Sequence, residues 1–318
     1  MTAAVAEFTV DPWDPGYAAA LAVEALAELG PTSAELVLDV ERDAADWKPI
    51  DPPPGTTAPE VLLIADGVRR IDARVWVHDP SSPMPTPGIA ASFAAGIVEC
   101  GPAGASLAAV EVGRALFSAS AQTPEIKTPH ATYRAERAAG PSMDELSLAL
   151  QRQVTQLEVD LAVRHRSRAD DLLLVDGPLR GRTHLPRTVG YIKTHHAAYL
   201  PGPQSSVVSA LSPGQRTPVF LMGTSWRRHA WYVRLPVRSA APWAGIARCE
   251  AGAELPADEV VRLADALTLV LPALAGVDYK DPRAPQNLVP IGGLEKLLRH
   301  RLGDPKLLYR ALRGAAGP

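Results

Sequence analysis

Cysteine is scarce in this sequence, and that scarcity excludes a disulfide-stabilised fold. Only two cysteines, Cys100 and Cys249, occur among the 318 residues, which is too few for a disulfide framework. Two isolated thiols are typical of a reducing compartment, which predicts a cytoplasmic protein. The N-terminus also lacks a basic start followed by an apolar stretch, so no signal peptide is predicted.

Bulk positive charge and long apolar runs are missing as well. The net charge is −3 at pH 7, which excludes a polycation that coats nucleic acid. The apolar stretch 88–110 is interrupted by Glu99 and by a Gly-Pro pair, whereas a membrane helix needs about 20 predominantly apolar residues. We interpret that stretch as two buried strands. The sequence contains no phosphate-binding GxxxxGK[ST] loop, so ATP-driven motion would require a partner.

The remaining composition is that of a globular protein, with 47% hydrophobic and 21% charged residues. The length permits one large domain or two ordinary ones. We predict an N-terminal extension over residues 1–55, with a helix that begins at Asp14 and continues over 16–28, followed by a strand near 34–41. A Pro-rich segment then breaks the chain, and a second domain is expected over 56–318.

Two apolar runs end in Asp-Gly. Residues 61–67 have the sequence VLLIADG and residues 172–177 have the sequence LLLVDG, so Asp66 and Asp176 are each predicted at the end of a buried strand. An aspartate there can face a cleft without the cost of desolvating its charge inside the sheet. The chain is expected to turn back through residues 68–70 into a further strand. The alternative is that both Asp-Gly pairs are ordinary turns.

A long helix is predicted between these two strands. Ser142 and Glu145 fit a capping box, and apolar residues recur at helical spacing in the segment that follows. Glu158 lies at the edge of this apolar stripe, where its side chain can reach over the sheet. The alternative for Glu158 is a solvated surface charge, with Asp160 or Glu145 in its place.

The order of strand, strand, strand, helix and strand is that of the RNase H-like fold. We therefore predict an α/β protein in which a mixed sheet is flanked by helices. Nucleases of this fold place one acid on the first strand, one on the first helix and one on the fourth strand, which selects Asp66, Glu158 and Asp176. Carboxylates without cysteine suit hard cations such as Mg²⁺ or Mn²⁺. Two such cations about 3.5–4 Å apart can activate a water and stabilise the leaving oxygen in phosphodiester cleavage.

Several segments of the chain resemble the NurA family of DNA repair nucleases. They are LLIADGVRR (62–70), the helix that carries Glu158, LLLVDGPLRGR (172–182), VGYIKTHHAAYLP (189–201) and DPRAPQNLVPIGGLEKLLRHRLGD (281–304). The resemblance implies manganese-dependent cleavage of DNA ends and single strands by a homodimer that works with a HerA-type hexameric ATPase in end resection. It matches Asp66, Glu158 and Asp176 to the family's metal ligands. It also places Lys193 where its ammonium could hold a phosphate.

One departure from this family concerns the C-terminal segment. Archaeal relatives carry a tyrosine and a histidine there, eight residues apart, at positions that correspond to Ala284 and Gly292 in this chain. Asp281, Gln286 or Glu295 could substitute for them. The departure favours an alternative function, a catalytically weak adaptor that guides DNA for a hexameric ATPase.

Other polar and aromatic residues allow two interpretations each. His195 and His196 diverge by about 100° if they lie on a helix, which favours a surface or cleft position over a metal site. Trp226 could stack on a base or pack in the core, and Trp13 could contact the ATPase or pack in the core. Arginines on both sides of the second acidic strand could contact DNA phosphates or carry helix-end charge: Arg164, Arg166, Arg168, Arg180, Arg182 and Arg187.

Overall fold

The computed structural model describes residues 35–78, 83–166, 170–194, 199–239, 241 and 243–316. In these residues the strands are β1 (Glu35–Val37), β2 (Leu62–Val77), β3 (Thr86–Gly101), β4 (Gly104–Ser118), β5 (Ile126–Lys127), β6 (Thr132–Arg137), β7 (Leu172–Asp176), β8 (Thr188–Ile192), β9 (Phe220–Gly223), β10 (Arg227–Arg234) and β11 (Ile246–Gly252). The α-helices are α1 (Met143–His165), α2 (Gly202–Ala210), α3 (Ala257–Leu274), α4 (Val289–Arg301) and α5 (Pro305–Ala315). The predicted helix at 16–28, Trp13, Arg168 and His195-His196 lie outside the described residues.

The chain divides into two compact units. Unit 1 contains Met1–Glu60 and Leu174–Gly292, and unit 2 contains Val61–Leu173 and Gly293–Pro318. Strand β7 therefore begins in unit 2 and ends in unit 1. The domain boundary predicted between residues 55 and 56 stays a prediction.

Unit 2 is built on three long antiparallel strands. β2 pairs with β3 along its whole length, from Leu62 opposite Cys100 to Val77 opposite Thr86, and β3 pairs with β4 in the same way. β6 then pairs with β4 in parallel and β5 pairs with β6, so the sheet is mixed. The first residues of β7 follow β2 on its other side in the strand order β7-β2-β3-β4-β6-β5.

Helices cover both faces of the sheet in unit 2. α1 begins at the predicted capping box, in which Glu145 N donates to Ser142 Oγ at 3.3 Å, and it packs on Phe93 of β3. α4 packs on Ala94 of β3 through Leu294 and its neighbours. Because adjacent strand residues point to opposite faces of a sheet, α1 and α4 lie on opposite faces.

Strand β2 is continuous over 16 residues, so the predicted turn through residues 68–70 is wrong. Residues 68–70 pair with residues 92–94 of β3, and this pairing outweighs the local turn preference of Asp66-Gly67. Asp66 therefore lies within a strand. Asp176, in contrast, ends β7 as predicted, and Gly177 then adopts a φ of 111°, a conformation that glycine tolerates best.

Unit 1 includes the described part of the predicted N-terminal extension. Its strands follow the order β1-β9-β10-β11-β8-β7, and Trp47 packs in its core beside Phe220. Glu41 accepts hydrogen bonds from both terminal nitrogens of Arg216, at 2.8 and 2.9 Å. Arg216 Nε also donates to Asp265 of α3 at 2.7 Å, which makes a buried charged cluster. Residues 41–47 are therefore part of the packing of unit 1.

The predicted α/β class, with a large mixed sheet flanked by helices, is confirmed. The element order expected of an RNase H-like fold is present as β2, β3, β4, α1 and β7, with the short β5 and β6 inserted before α1. Within the described residues, every helix is too short or too polar to cross a membrane.

Candidate metal centre

Asp66 and Glu295 form an acidic pair in unit 2. Both residues are buried, at 6% and 8% exposure, and each offers a carboxylate oxygen within 4.8 Å of the other. Asp66 lies opposite Gly96 of β3, and Glu295 lies in α4. Leu294 Cδ1 is 2.8 Å from the point that a β-carbon on Gly96 would occupy, so this glycine lets α4 approach the sheet closely. That approach brings Glu295 to Asp66.

Two arginines hold the C-terminal end of α4. Arg70 Nη1 donates to Gly303 O at 2.8 Å, and Arg114 Nη2 donates to Leu302 O at 3.2 Å. Cations at this end of a helix satisfy its last carbonyls and interact favourably with its dipole. Arg70 Nε also pairs with the buried Asp72 carboxylate at 2.8 Å. Arg70 of β2 therefore holds α4, the helix that carries Glu295, against the strand that carries Asp66.

Glu158 lies over Gly67, the neighbour of Asp66 in β2. Its Oε1 atom is 2.5 Å from the point that a β-carbon on Gly67 would occupy, and Val154 Cγ1 is equally close. Glu158 is 5% exposed, so it is not a solvated surface charge. Since Asp66 and Gly67 are adjacent, their side-chain positions lie on opposite faces of the sheet. Glu158 approaches β2 from the α1 face, and the acidic pair lies on the α4 face.

The structure thus brings Asp66 together with Glu295. It places the Glu158 carboxylate next to Gly67, the following residue of β2, on the opposite face of the sheet. The two alternatives to Glu158 are occupied elsewhere. Asp160 is exposed and accepts a hydrogen bond from Gln156 at 2.8 Å, while Glu145 caps α1. Glu295 was only one of several candidates in the sequence, because its approach to Asp66 depends on how α4 packs.

In unit 1, Lys193 pairs with Asp176. Lys193 Nζ donates to Asp176 Oδ2 at 2.6 Å, and the two side chains are 7% and 9% exposed. Asp176 ends β7, and Lys193 follows the last residue of β8. The ammonium that the family resemblance assigns to a phosphate is therefore bonded to a carboxylate in this structure.

Sequence reasoning did not identify Asn287, which also contacts Lys193. Lys193 Nζ donates to Asn287 Oδ1 at 3.0 Å, and Asn287 Nδ2 donates to Asp281 Oδ2 at 2.6 Å. Burial raises the pKa of Asp281, but hydrogen bonds from Arg283 and Asn287 outweigh that effect and hold the pKa below its usual value. The segment follows no helical or strand period, so no local pattern distinguishes Asn287.

The two positions that depart from the NurA family lie in this part of unit 1. Ala284 is buried at 4% exposure, and its N–H donates to Asp281 O at 3.0 Å. A β-carbon on Gly292 would lie 3.2 Å from Asn287 Nδ2 and 3.3 Å from Asp281 Oδ2. The Asn287 and Asp281 side chains therefore lie next to the space that a side chain at position 292 would enter.

The carboxylates of unit 2 suit a hard divalent cation. Mg²⁺ and Mn²⁺ prefer carboxylate oxygens, and Asp66 and Glu295 present two of them within reach of one ion. Two buried carboxylates at this separation repel each other, and a shared cation would offset the repulsion. The residues present therefore fit a metal ion.

Several predicted DNA contacts have roles inside the protein. Arg166 Nε donates to Asp171 Oδ1 at 2.8 Å, and Arg182 Nη1 donates to Pro178 O at 2.9 Å, and both arginines are largely buried. Trp226 lies under the Arg228 guanidinium, with 4.7 Å between the guanidinium carbon and the ring centroid. Arg180 is exposed, so its contact with a phosphate stays a prediction.

No protein-family model matches this chain, and no curated protein matches it. Solved structures that are similar to it include two nucleases. One is the NurA nuclease from Sulfolobus solfataricus, with 12% identity and a TM-score of 0.46 over 94% of this chain and 93% of that chain. The other is endonuclease V from Bacillus subtilis, with 12% identity and a TM-score of 0.31 over 80% of this chain and 85% of that chain.

Proposed function

We propose that this protein is a divalent-metal-dependent DNA nuclease of the NurA type. The observation that carries the proposal is the buried acidic pair, Asp66 and Glu295, with the Glu158 carboxylate at the next residue of the same strand. Converging carboxylate oxygens are the ligands that Mg²⁺ and Mn²⁺ prefer, and Asp66 and Glu295 offer two of them within reach of one ion.

The proposed metal ligands are Asp66 and Asp176, as the sequence predicts, together with Glu295. Glu158, the third ligand that the sequence predicts, approaches β2 from the other face of the sheet, so its contact with the same cation stays a prediction. Asp176 is included because the sequence places it, like Asp66, at the end of an apolar run followed by glycine. Mn²⁺ is the proposed cation, with Mg²⁺ as the alternative. When bound, two such cations supply an activated water and stabilise the leaving oxygen of a phosphodiester.

Groups of the chain itself would orient the DNA. Lys193, which donates to Asp176 in this structure, is proposed to hold a phosphate oxygen as a point charge when DNA binds. Arg180 is exposed in the loop after β7 and is proposed to contact the DNA backbone. The net charge of −3 indicates that such contacts are local, so we expect the isolated protein to bind DNA weakly.

The proposed cellular role is DNA end resection in the cytoplasm, as a homodimer with a HerA-type hexameric ATPase. The family resemblance of the sequence motifs supports this role. The absence of a GxxxxGK[ST] loop from the sequence is consistent with an ATPase supplied by a partner.

A second candidate function is an adaptor that guides DNA for the ATPase but cleaves it poorly. Ala284 and Gly292 favour this alternative, because they lack the tyrosine and histidine side chains of the archaeal relatives. Buried carboxylates in Asp66, Glu158 and Glu295 favour the nuclease.

A cleavage assay with purified protein tests the proposal. We expect Mn²⁺-dependent cleavage of linear and single-stranded DNA by the wild type, and loss of at least about 100-fold in rate for Asp66→Asn, since removing one electrostatic catalytic group has that effect. Asp160→Asn is the matched control, because this exposed helix residue should tolerate the same change. An adaptor would leave the DNA intact and still bind it.

Metal binding provides a readout that does not depend on cleavage. Glu295→Gln should weaken Mn²⁺ binding, measured by calorimetry or by the electron paramagnetic resonance signal of free Mn²⁺. Glu60→Gln, an exposed substitution of the same type, should leave the affinity unchanged. Equal Mn²⁺ affinity in both variants and in the wild type would remove Glu295 from the ligand set.

A further inference from the structure

A chain of hydrogen bonds in unit 1 leads from Asp176 to Arg283. Lys193 Nζ donates to Asp176 Oδ2 at 2.6 Å and to Asn287 Oδ1 at 3.0 Å. Asn287 Nδ2 donates to Asp281 Oδ2 at 2.6 Å, and Arg283 Nη2 pairs with the same oxygen at 3.2 Å. Along this hydrogen-bond network, each charged side chain is therefore bonded to a side chain of opposite charge or to the Asn287 amide.

The amide of Asn287 is held in one orientation. Its nitrogen must face the Asp281 carboxylate, which only accepts hydrogen bonds, and its oxygen must face the Lys193 ammonium, which only donates them. The backbone around it is also fixed, since Tyr191 Oη donates to Gln286 O at 2.8 Å. Burial raises the pKa of the Tyr191 phenol, so its hydroxyl stays protonated and can donate this bond.

Lys193 and a metal ion would use the same ligand. The Lys193 ammonium is bonded to an oxygen of Asp176, and Asp176 is one of the proposed metal ligands. A cation that binds this carboxylate must draw it away from the ammonium, or remain close to a like charge. Because both side chains are buried, water screens this competition much less than it would on the surface.

Asn287 offers Lys193 a second acceptor. If Asp176 turns to a cation, the ammonium can keep its bond to Asn287 Oδ1, so the buried charge is not left without an acceptor. The Asp281 carboxylate holds the amide in place for this purpose. Lys193 and Asn287 should therefore have opposite effects on metal affinity.

We propose that Lys193 is an internal counter-charge that competes with the divalent cation for Asp176, and that Asn287 is a positioning residue that retains the ammonium once the cation binds. Lys193 weakens metal binding, and Asn287 strengthens it through Lys193. This proposal rests on the proposed function, in which Asp176 is a metal ligand.

The test measures Mn²⁺ affinity of the full-length protein by calorimetry and electron paramagnetic resonance. Lys193→Met should bind Mn²⁺ at least about tenfold more tightly than the wild type. One neighbouring positive charge lowers the proton affinity of a carboxylate by about tenfold or more, and we expect an effect of similar size on cation affinity. Asn287→Leu should bind more weakly than the wild type. The double variant should behave like Lys193→Met, because the effect of Asn287 requires the ammonium.

Lys280→Met is the matched control for Lys193→Met. It removes the same charge from an exposed residue near Asp281, so solvent screening should leave the Mn²⁺ affinity almost unchanged. Lys193→Gln replaces Lys193→Met if circular dichroism shows that the methionine variant does not fold.

Three results would overturn the inference. Weaker or unchanged Mn²⁺ binding by the Lys193 variants would show that the ammonium does not compete. Additive effects in the double variant would show that Asn287 acts independently of Lys193. If the wild type shows no saturable Mn²⁺ binding, or if Asp66→Asn does not remove that binding, the proposed function is overturned as well. The first two results overturn only the inference, so the two failures are distinguishable.

Discussion

The Glu158 carboxylate occupies the space above Gly67 that a side chain would otherwise fill. Its Oε1 atom is 2.5 Å from the position of a β-carbon on Gly67, and Val154 Cγ1 is at the same distance. The glycine after Asp66 therefore serves close packing of α1 on β2, rather than a turn. This packing brings the helical acid to the strand that carries the acidic pair.

Gly67→Ala should displace α1 from β2. The added methyl group must move both Glu158 and Val154, and we expect a loss of about 1–3 kcal/mol in the free energy of unfolding, as for other overpacked cores. DNA cleavage should fall as well, because Glu158 moves. Chemical denaturation and the cleavage assay measure the two effects.

Gly293→Ala is the matched control. No heavy atom lies within 4 Å of the position of its β-carbon, and the residue lies in α4. A gain of about 0.5–1 kcal/mol is expected from the higher helix propensity of alanine. A Gly67→Ala protein with the stability and activity of the wild type would contradict the close contact between α1 and β2.

Asp176→Asn should abolish metal-dependent cleavage while the fold remains. The side chains have nearly the same shape, but asparagine lacks the charge that would bind the cation. Loss of carboxylate repulsion by itself would stabilise the metal-free protein. The structure predicts the opposite, because Asp176 is bonded to the buried Lys193 ammonium at 2.6 Å.

A loss of about 3 kcal/mol is expected, at the low end for breaking a buried ion pair, because Asn287 still accepts a hydrogen bond from Lys193. Thermal unfolding without metal measures this change, and circular dichroism checks the fold. A more stable variant would show that carboxylate repulsion outweighs the ion pair. Near wild-type cleavage would remove Asp176 from the metal site.

Arg70→Ala should loosen the C-terminal end of α4. The substitution removes the hydrogen bonds to Leu302 O and Gly303 O and the ion pair with the buried Asp72. We expect a loss of about 2 kcal/mol, since a buried charged partner is left behind. Mn²⁺ binding should weaken too, because α4 carries Glu295.

Arg74→Ala, an exposed change in the same strand, should alter stability by no more than about 0.5 kcal/mol. Hydrogen exchange of the α4 amides identifies where the loss of stability occurs. Unchanged protection of these amides in Arg70→Ala would show that Arg70 does not hold the helix.

The sequence leaves open whether Trp13 of the N-terminal extension contacts the ATPase, and we expect residues 1–34 to contribute to docking. A chain that starts at Glu35 tests this expectation. This chain keeps Glu41, which pairs with the buried Arg216, and Trp47, which packs in the core of unit 1. A chain that starts at Thr57 loses both and should be less stable. We expect the Glu35 chain to fold and to lose binding to the cognate ATPase in a pull-down experiment.

Retained ATPase binding by the chain that starts at Glu35 would place the docking surface outside residues 1–34. A thermal unfolding midpoint for this chain equal to that of the full-length protein would confirm that the described core is intact. The chain that starts at Thr57 serves as the control for loss of the Glu41 and Trp47 contacts.

Local features of the sequence were sufficient to predict several elements. The apolar run that ends in Asp176-Gly177 predicts the end of β7, because glycine tolerates the backbone conformation that follows. The capping box of Ser142 and Glu145 predicts the start of α1. In each case the decisive interactions join residues that are close together in the sequence.

Tertiary structure decided where the acidic residues meet. The turn preference of Asp66-Gly67 was overruled by pairing with β3, which made Asp66 an internal residue of β2. The approach of Glu295 to Asp66 and the bond from Lys193 to Asn287 join residues that are far apart in the chain. Such contacts depend on how helices and strands pack, through glycines such as Gly96 that let α4 approach the sheet. Helical and strand periodicity describes only the face on which a residue lies, so these partners emerge only from the folded chain.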